Sequence, residues 1–183
     1  AGAAALARQS WPRGQRLGLH LAAGAMLHGF YLTISWWAVG RGMPAGIMAL
    51  MGATQPLMVA VASVLLLGDR LPGRGWAGLA IAIIGVACVL LPAIERTGAS
   101  AVPVVPVLAG LFAIIAMTGG TLIQRGQIAG DPILMSGAAQ NLGGALVAIA
   151  ATLIVGDWRW DNDPMLWIGL AWSVLGLSAA GLS

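Results

Sequence analysis

The sequence has no lysine, a single cysteine and very little charge of either sign. Each shortage excludes something. Soluble domains carry about 25% charged residues, whereas here Asp, Glu, Lys and Arg make up 8%. That excludes a solvated globular domain. One cysteine, Cys88, inside an apolar stretch, excludes an intrachain disulfide framework. All nine basic residues are arginines lying in turns between apolar segments, so they report topology and not nucleic-acid binding. There is no Ser/His/Asp constellation, no metal-ligand spacing, no phosphate-cradling glycine loop and no pair of carboxylates within an apolar stretch. The reading is therefore not an enzyme, with no metal and no cofactor. No initiator Met and no signal-peptide pattern are seen, and residue 183 falls within an apolar segment. The expectation is a fragment, cut at both ends.

What remains is strongly apolar. Hydrophobic residues are 59% of the chain and the mean hydropathy is +0.90. This composition predicts an all-α, polytopic transmembrane helix bundle. Spans are predicted at 17–39, 45–67, 76–92, 104–124, 132–155 and 165–183, after a basic segment at 1–16 and with a linker at 93–103. A stretch of about 20 apolar residues at 1.5 Å each crosses the roughly 30 Å of hydrocarbon. Arginine placement orients the bundle. With residues 1–16 in the cytoplasm, the inner segments hold Arg8, Arg13, Arg16, Arg70, Arg74 and Arg125, and the outer ones Arg41, Arg96 and Arg159. That bias follows the positive-inside rule and puts the linker outside.

The polar residues within the spans are few and patterned. The second span has Pro56 at its middle, directly after Gln55. Proline has no N–H, so the carbonyl of Gly52 loses its helical donor and must face protein or water. In the first span His20, Gly24, His28, Tyr31 and Ser35 recur at spacings of four, four, three and four, which predicts one helical face. His28 and Pro56 are midpoints of consecutive spans, so His28, Tyr31, Gln55 and the freed carbonyl are expected at similar depth. The fourth span offers Thr118 and Thr121 around Gly119-Gly120, and the fifth Ser136, Gln140 and Asn141 beside Gly143-Gly144. These read chiefly as interhelical glue. Trp172 and Ser173 lie deep in the last segment. No span holds Asp, Glu, Lys or Arg, so only His28 and His20 offer a group that titrates near neutral pH within the membrane.

Residues 18–92 resemble the last three helices of an EamA-type repeat of the drug/metabolite transporter superfamily. The resemblance rests on YLTISWWAVGRGMPAG, the central TQPL, the turn LLLGDRLP and the helix GWAGLAIAIIGVACVLLP. VLAGLFAIIAMTGGTLIQRG is similar to the first helix of a second repeat. The resemblance implies ten helices in two inverted five-helix repeats, of which this chain would hold helices three to eight: 1–92 ending the first repeat and 104–183 starting the second. It implies a multi-pass carrier of small metabolites in the plasma (bacterial inner) membrane, with a small-molecule solute and the lipid bilayer as partners and a homodimer left open. Carried onto this sequence, the cavity lining is His28, Tyr31, Ser35, Gln55, Pro56, Thr118, Thr121, Trp172 and Ser173, with Gln140 and Asn141 ranked lower. The alternative is a non-transporting membrane scaffold or regulatory subunit, whose small-residue faces and buried amides would serve helix association alone.

Overall fold

The computed structural model describes residues 11–97, 103–156 and 162–172. It divides into two compact units, residues 1–151 and 152–183. Among the described residues there are helices and turns and no strand. The first span is continuous over 26 residues but has three parts. These are α1 (Gln15–Gly24), a π-helical segment (Ala25–Phe30) and α2 (Tyr31–Gly40). A tight turn leads to α3 (Ala45–Ala53) and α4 (Gln55–Leu67), which together make the second span. Then come α5 (Gly73–Thr97), α6 (Val104–Gln127) and α7 (Ile133–Val155). Among the described residues four stretches are long and apolar enough to cross a membrane: Gln15–Gly40, Ala45–Leu67, Val104–Gln127 and Ile133–Val155. Within α5, Gly73–Gly85 is a shorter apolar helix. The architecture is a polytopic all-α bundle.

The second span occupies the predicted 45–67. Its end is fixed by Gly68, whose φ of +70° is the left-handed conformation that glycine adopts without steric cost. The third helix differs from expectation. It begins at Gly73 and passes through Pro92 to Thr97, into the stretch predicted as linker. An apolar helix tolerates one lost N–H, because unwinding the neighbouring turns would leave more backbone groups unpaired.

In the first unit α6 is central, in contact with α1, the π segment, α2, α3 and α4. Its small residues make this physically reachable, since Gly110, Ala113, Ala116, Thr118 and Gly120 are all buried. Ala38, Met43, Met48, Ala113 and Ile114 form the apolar core where α2, α3 and α6 meet. The first span is clasped by two glycine pairs. A Cβ at Gly120 would stand 2.7 Å from Leu27 Cγ and 3.0 Å from the Ala23 carbonyl oxygen, and one at Gly119 2.7 Å from Met26 Cε. On the other side a Cβ at Gly24 would overlap the backbone of Gln140, and one at Gly143 would overlap that of Leu21. Further along the same seam, Gly144 abuts His28 Cβ and Gly29 abuts Val147. The order of these contacts makes α6 antiparallel, and α7 parallel, to the first span.

The π segment explains how both Gly24 and Gly29 reach α7. Five residues turn an α-helix by about 500°, which would put the two glycines on different faces. A π turn closes on i and i+5, and returns them to one face. The same wider turn breaks the predicted stripe. His20 and Gly24 lie on the seam with α7, whereas Tyr31 and Ser35 face α3.

The second unit contains α8 (Pro164–Ala171). Asp163 caps it, its Oδ1 accepting the Met165 N–H at 2.9 Å, and Pro164 occupies the first position, where no N–H is needed. Trp167 Nε1 donates to Asn162 Oδ1 at 2.7 Å. Of the segment predicted at 165–183, residues 173–183 lie outside the described residues.

Candidate functional site

The second span is interrupted at Thr54, in its middle. Pro56 supplies no N–H, and the backbone answers by tightening. The Thr54 N–H reaches Met51 O at 3.0 Å, an i→i−3 bond, and Thr54 Oγ1 donates to the same carbonyl at 2.6 Å. The regular pattern resumes with Met58 N–H to Thr54 O at 3.1 Å. Around this break polar groups gather. Gln55 Nε2 donates to Thr121 Oγ1 at 3.1 Å, and Thr121 in turn donates to Met117 O at 2.9 Å. The Tyr31 hydroxyl lies beside Gly52, 3.4 Å from where a Cβ would be. Ser35 Oγ donates to Tyr31 O at 2.5 Å. From Tyr31 and Ser35 a cleft of about 250 Å³ opens between α2 and α3, closed by Trp36, Val39, Ala45 and Met48. Its walls are apolar, with a phenol and a hydroxyl at one edge.

A second polar cluster sits at the end of the unit bearing Arg16, Asp69, Arg125 and Asp131. His20 is wholly buried. Its Nε2 is 2.9 Å from Asp131 Oδ2 and its Nδ1 is 3.4 Å from Gln140 Nε2. Gln140 Oε1 accepts from Gln124 Nε2 at 2.6 Å. Asp131 also pairs with Arg16. Close by, Arg125 donates to Ser63 Oγ at 3.0 Å and pairs with Asp69 at 2.9 Å. Two clefts, of about 130 and 230 Å³, share Asp131 and Ser136 as walls.

Of the residues singled out from sequence, Tyr31 joins Ser35, Gln55 joins Thr121, and Gln140 joins His20. Thr118 is buried and donates to Ile114 O at 2.8 Å, within its own helix. Pro56 shapes the break, with its ring exposed. The His28 side chain is exposed beyond Gly144 on the α7 seam and does not join Tyr31 on one stripe, because the π segment turns Tyr31 toward α3. Asn141 is also exposed. Trp172 belongs to the second unit and is 69% exposed, and Ser173 lies outside the described residues. Sequence reading missed Arg16, Gln124 and Asp131. Asp131 carried the usable signal: it and Asp69 are the acids beside the inner arginines. Among the described residues no three His, Cys, Asp or Glu side chains gather as metal ligands.

Comparison with curated proteins and with solved structures gives no match. A family model does match: residues 2–91 fit the EamA-like transporter family. That family consists of membrane transporters of small solutes, and the four membrane-length apolar helices among the described residues agree with a multi-pass membrane protein. The stretch carrying the broken second span, residues 2–91, thus matches the EamA-like transporter family, consistent with a member of the drug/metabolite transporter superfamily.

Proposed function

We propose that the chain is the middle part of a secondary transporter exporting small amino-acid-like or drug-like solutes across the plasma (bacterial inner) membrane. In this reading it works by alternating access: residues 1–92 and 104–183 belong to two inverted repeats that rock about a cavity at mid-depth. The observation that carries the reading is the break at Thr54 with Gln55, Thr121 and the Tyr31 hydroxyl around it. Carriers bind solutes where interrupted helices leave backbone groups free near the bilayer midplane. Tyr31, Ser35, Gln55, Thr118 and Thr121 are the proposed lining, with Pro56 holding the break open. His28, Trp172 and Ser173 rest on the family resemblance alone.

Wetting tests this. In the full protein with Cys88 and any other cysteine replaced by serine, Tyr31→Cys, Gln55→Cys and Thr121→Cys are labelled with a membrane-impermeant maleimide. Leu65→Cys, on an exposed apolar face, is the dry control. The three lining positions should react and position 65 should not. Efflux of a panel of radiolabelled L-amino acids from loaded cells should fall for Gln55→Ala. Silence at all three positions would sink the carrier reading and leave a helix scaffold.

A further inference from the structure

We propose that His20 is a proton-binding site, at which an incoming proton and Arg16 compete for the carboxylate of Asp131. The hydrogen-bond chain fixes the starting state. Gln124 Nε2 donates to Gln140 Oε1, so Gln140 turns its NH2 toward His20 Nδ1. An amide NH2 only donates, so Nδ1 is the bare nitrogen and the ring proton sits on Nε2. Nε2–H donates to Asp131 Oδ2, and Asp131 Oδ1 accepts from Arg16 Nη1. The ring is neutral, every member is bonded, and one positive charge balances one negative charge.

The ring takes a second proton only at Nδ1. That creates an N–H facing the NH2 of Gln140, two donors with no acceptor between them. The contact is restored when the Gln140 amide turns over to present Oε1. Its NH2 then faces Gln124, whose amide must turn as well. A proton on α1 is thereby registered on α7 and α6. The charge balance gives the second half of the argument. Imidazolium beside an Asp131 already paired with Arg16 leaves one positive charge in excess, which a buried site opposes strongly. The His20 side chain is 0% exposed and that of Arg16 is 64% exposed. The guanidinium is the group able to leave for water. Proton uptake therefore trades one ion pair for another and releases the start of α1 from the turn before α7.

The other groups around the ring support this. Among the described residues the charged groups facing it are Arg16 from its own helix and Asp131 from the turn; α6 and α7 present the neutral Gln124, Gln140 and Ser136. Arg125 on α6 is engaged by Ser63 and Asp69. Two clefts that share Asp131 and Ser136 open beside the site, and buried Ser136 Oγ has no protein partner among the described residues. That the bound proton is the coupling ion of transport rests on the carrier reading; that His20 binds it does not.

The test needs no transported solute. The full protein in nanodiscs is labelled with 15N-histidine and 15N-glutamine, and the imidazole signals of this chain's two histidines are assigned with His20→Gln and His28→Gln. At pH 8 the His20 ring should be neutral with its proton on Nε2. On acidification it should become imidazolium, and the side-chain amide signals of Gln124 and Gln140 should change in step. Arg16→Gln, at an exposed position, should raise the ratio of protonated to neutral His20 severalfold at pH 6, and Asp131→Asn should lower it. A ring that stays neutral at every pH where the protein is folded, or a ratio unmoved by Arg16→Gln, overturns the proposal. If the ring titrates as expected and a proton gradient drives no amino-acid flux, the site stands and the coupling role falls.

Discussion

Replacing Gly24 by alanine adds one methyl group where the structure has no room. The new Cβ would overlap the backbone of Gln140, and backbone yields only if α7 moves away from the first span. Overpacking of this kind costs about 3 kcal/mol, the upper end of the usual range, since no flexible side chain can give way. Alanine returns about 1 kcal/mol through its better helix propensity. The net expectation is a loss of about 2 kcal/mol. Gly18→Ala is the matched control: it lies on the same helix, nothing approaches its Cβ within 4 Å, and it should be neutral or gain up to about 1 kcal/mol. The two substitutions should therefore separate by about 3 kcal/mol. Equilibrium unfolding of the full protein in mixed micelles by added SDS, followed by the fluorescence of its tryptophans, reads the difference. Equal unfolding midpoints for the two variants would mean that the first span does not pack backbone to backbone on α7, and the parallel arrangement argued from that seam would fail.

Two further outcomes follow from the same packing. Met43 is 1% exposed in the core of α2, α3 and α6, so Met43→Ala should cost about 2–5 kcal/mol in the same unfolding assay, and a loss below about 1 kcal/mol would refute that core. Pro56→Ala restores an N–H opposite the Gly52 carbonyl and should stabilise the second span by about 1 kcal/mol while slowing amide exchange at residues 53–57; unchanged exchange there would show that the break does not depend on the proline.

Much of the bundle was legible because lipid leaves the backbone few choices. A run of apolar residues bounded by glycine or proline must be a helix, and Ala45–Leu67 could be read from GMPAG and LLLGDRLP alone. The glycine pairs at 119–120 and 143–144 were legible for a related reason: in an apolar span they serve close approach, and both do so here. The polar cluster around His20 was not legible. Its members come from Arg16, His20, Gln124, Asp131 and Gln140, and no local pattern ties a turn aspartate to a histidine 111 positions earlier. The π segment was hidden for a different reason. AMLHGF has no sequence signature, and an unbroken 3.6-residue period placed Tyr31 and Ser35 on the stripe of His20, Gly24 and His28, from which the extra residue rotates them away. Gln140 was ranked below the lining residues, yet it is the link between His20 and α6.

The three-part first span also bears on how such chains tolerate insertions and deletions. A π turn accommodates one residue more than an α turn over the same stretch of helix axis. The 26 residues of Gln15–Gly40 are thus a regular span with one residue absorbed between Ala25 and Phe30. Removing a single residue there leaves hydropathy and membrane depth untouched, and no composition measure would register the change. It would restore a regular α turn and leave Tyr31 and Ser35 toward α3 with His20 on α7, whereas the same 26 residues wound as an unbroken α-helix would turn α2 by about 100° relative to α1. The π turn and the residue count between His20 and Tyr31 therefore set the aim of the two ends together, and the segment can lose one residue without re-aiming either.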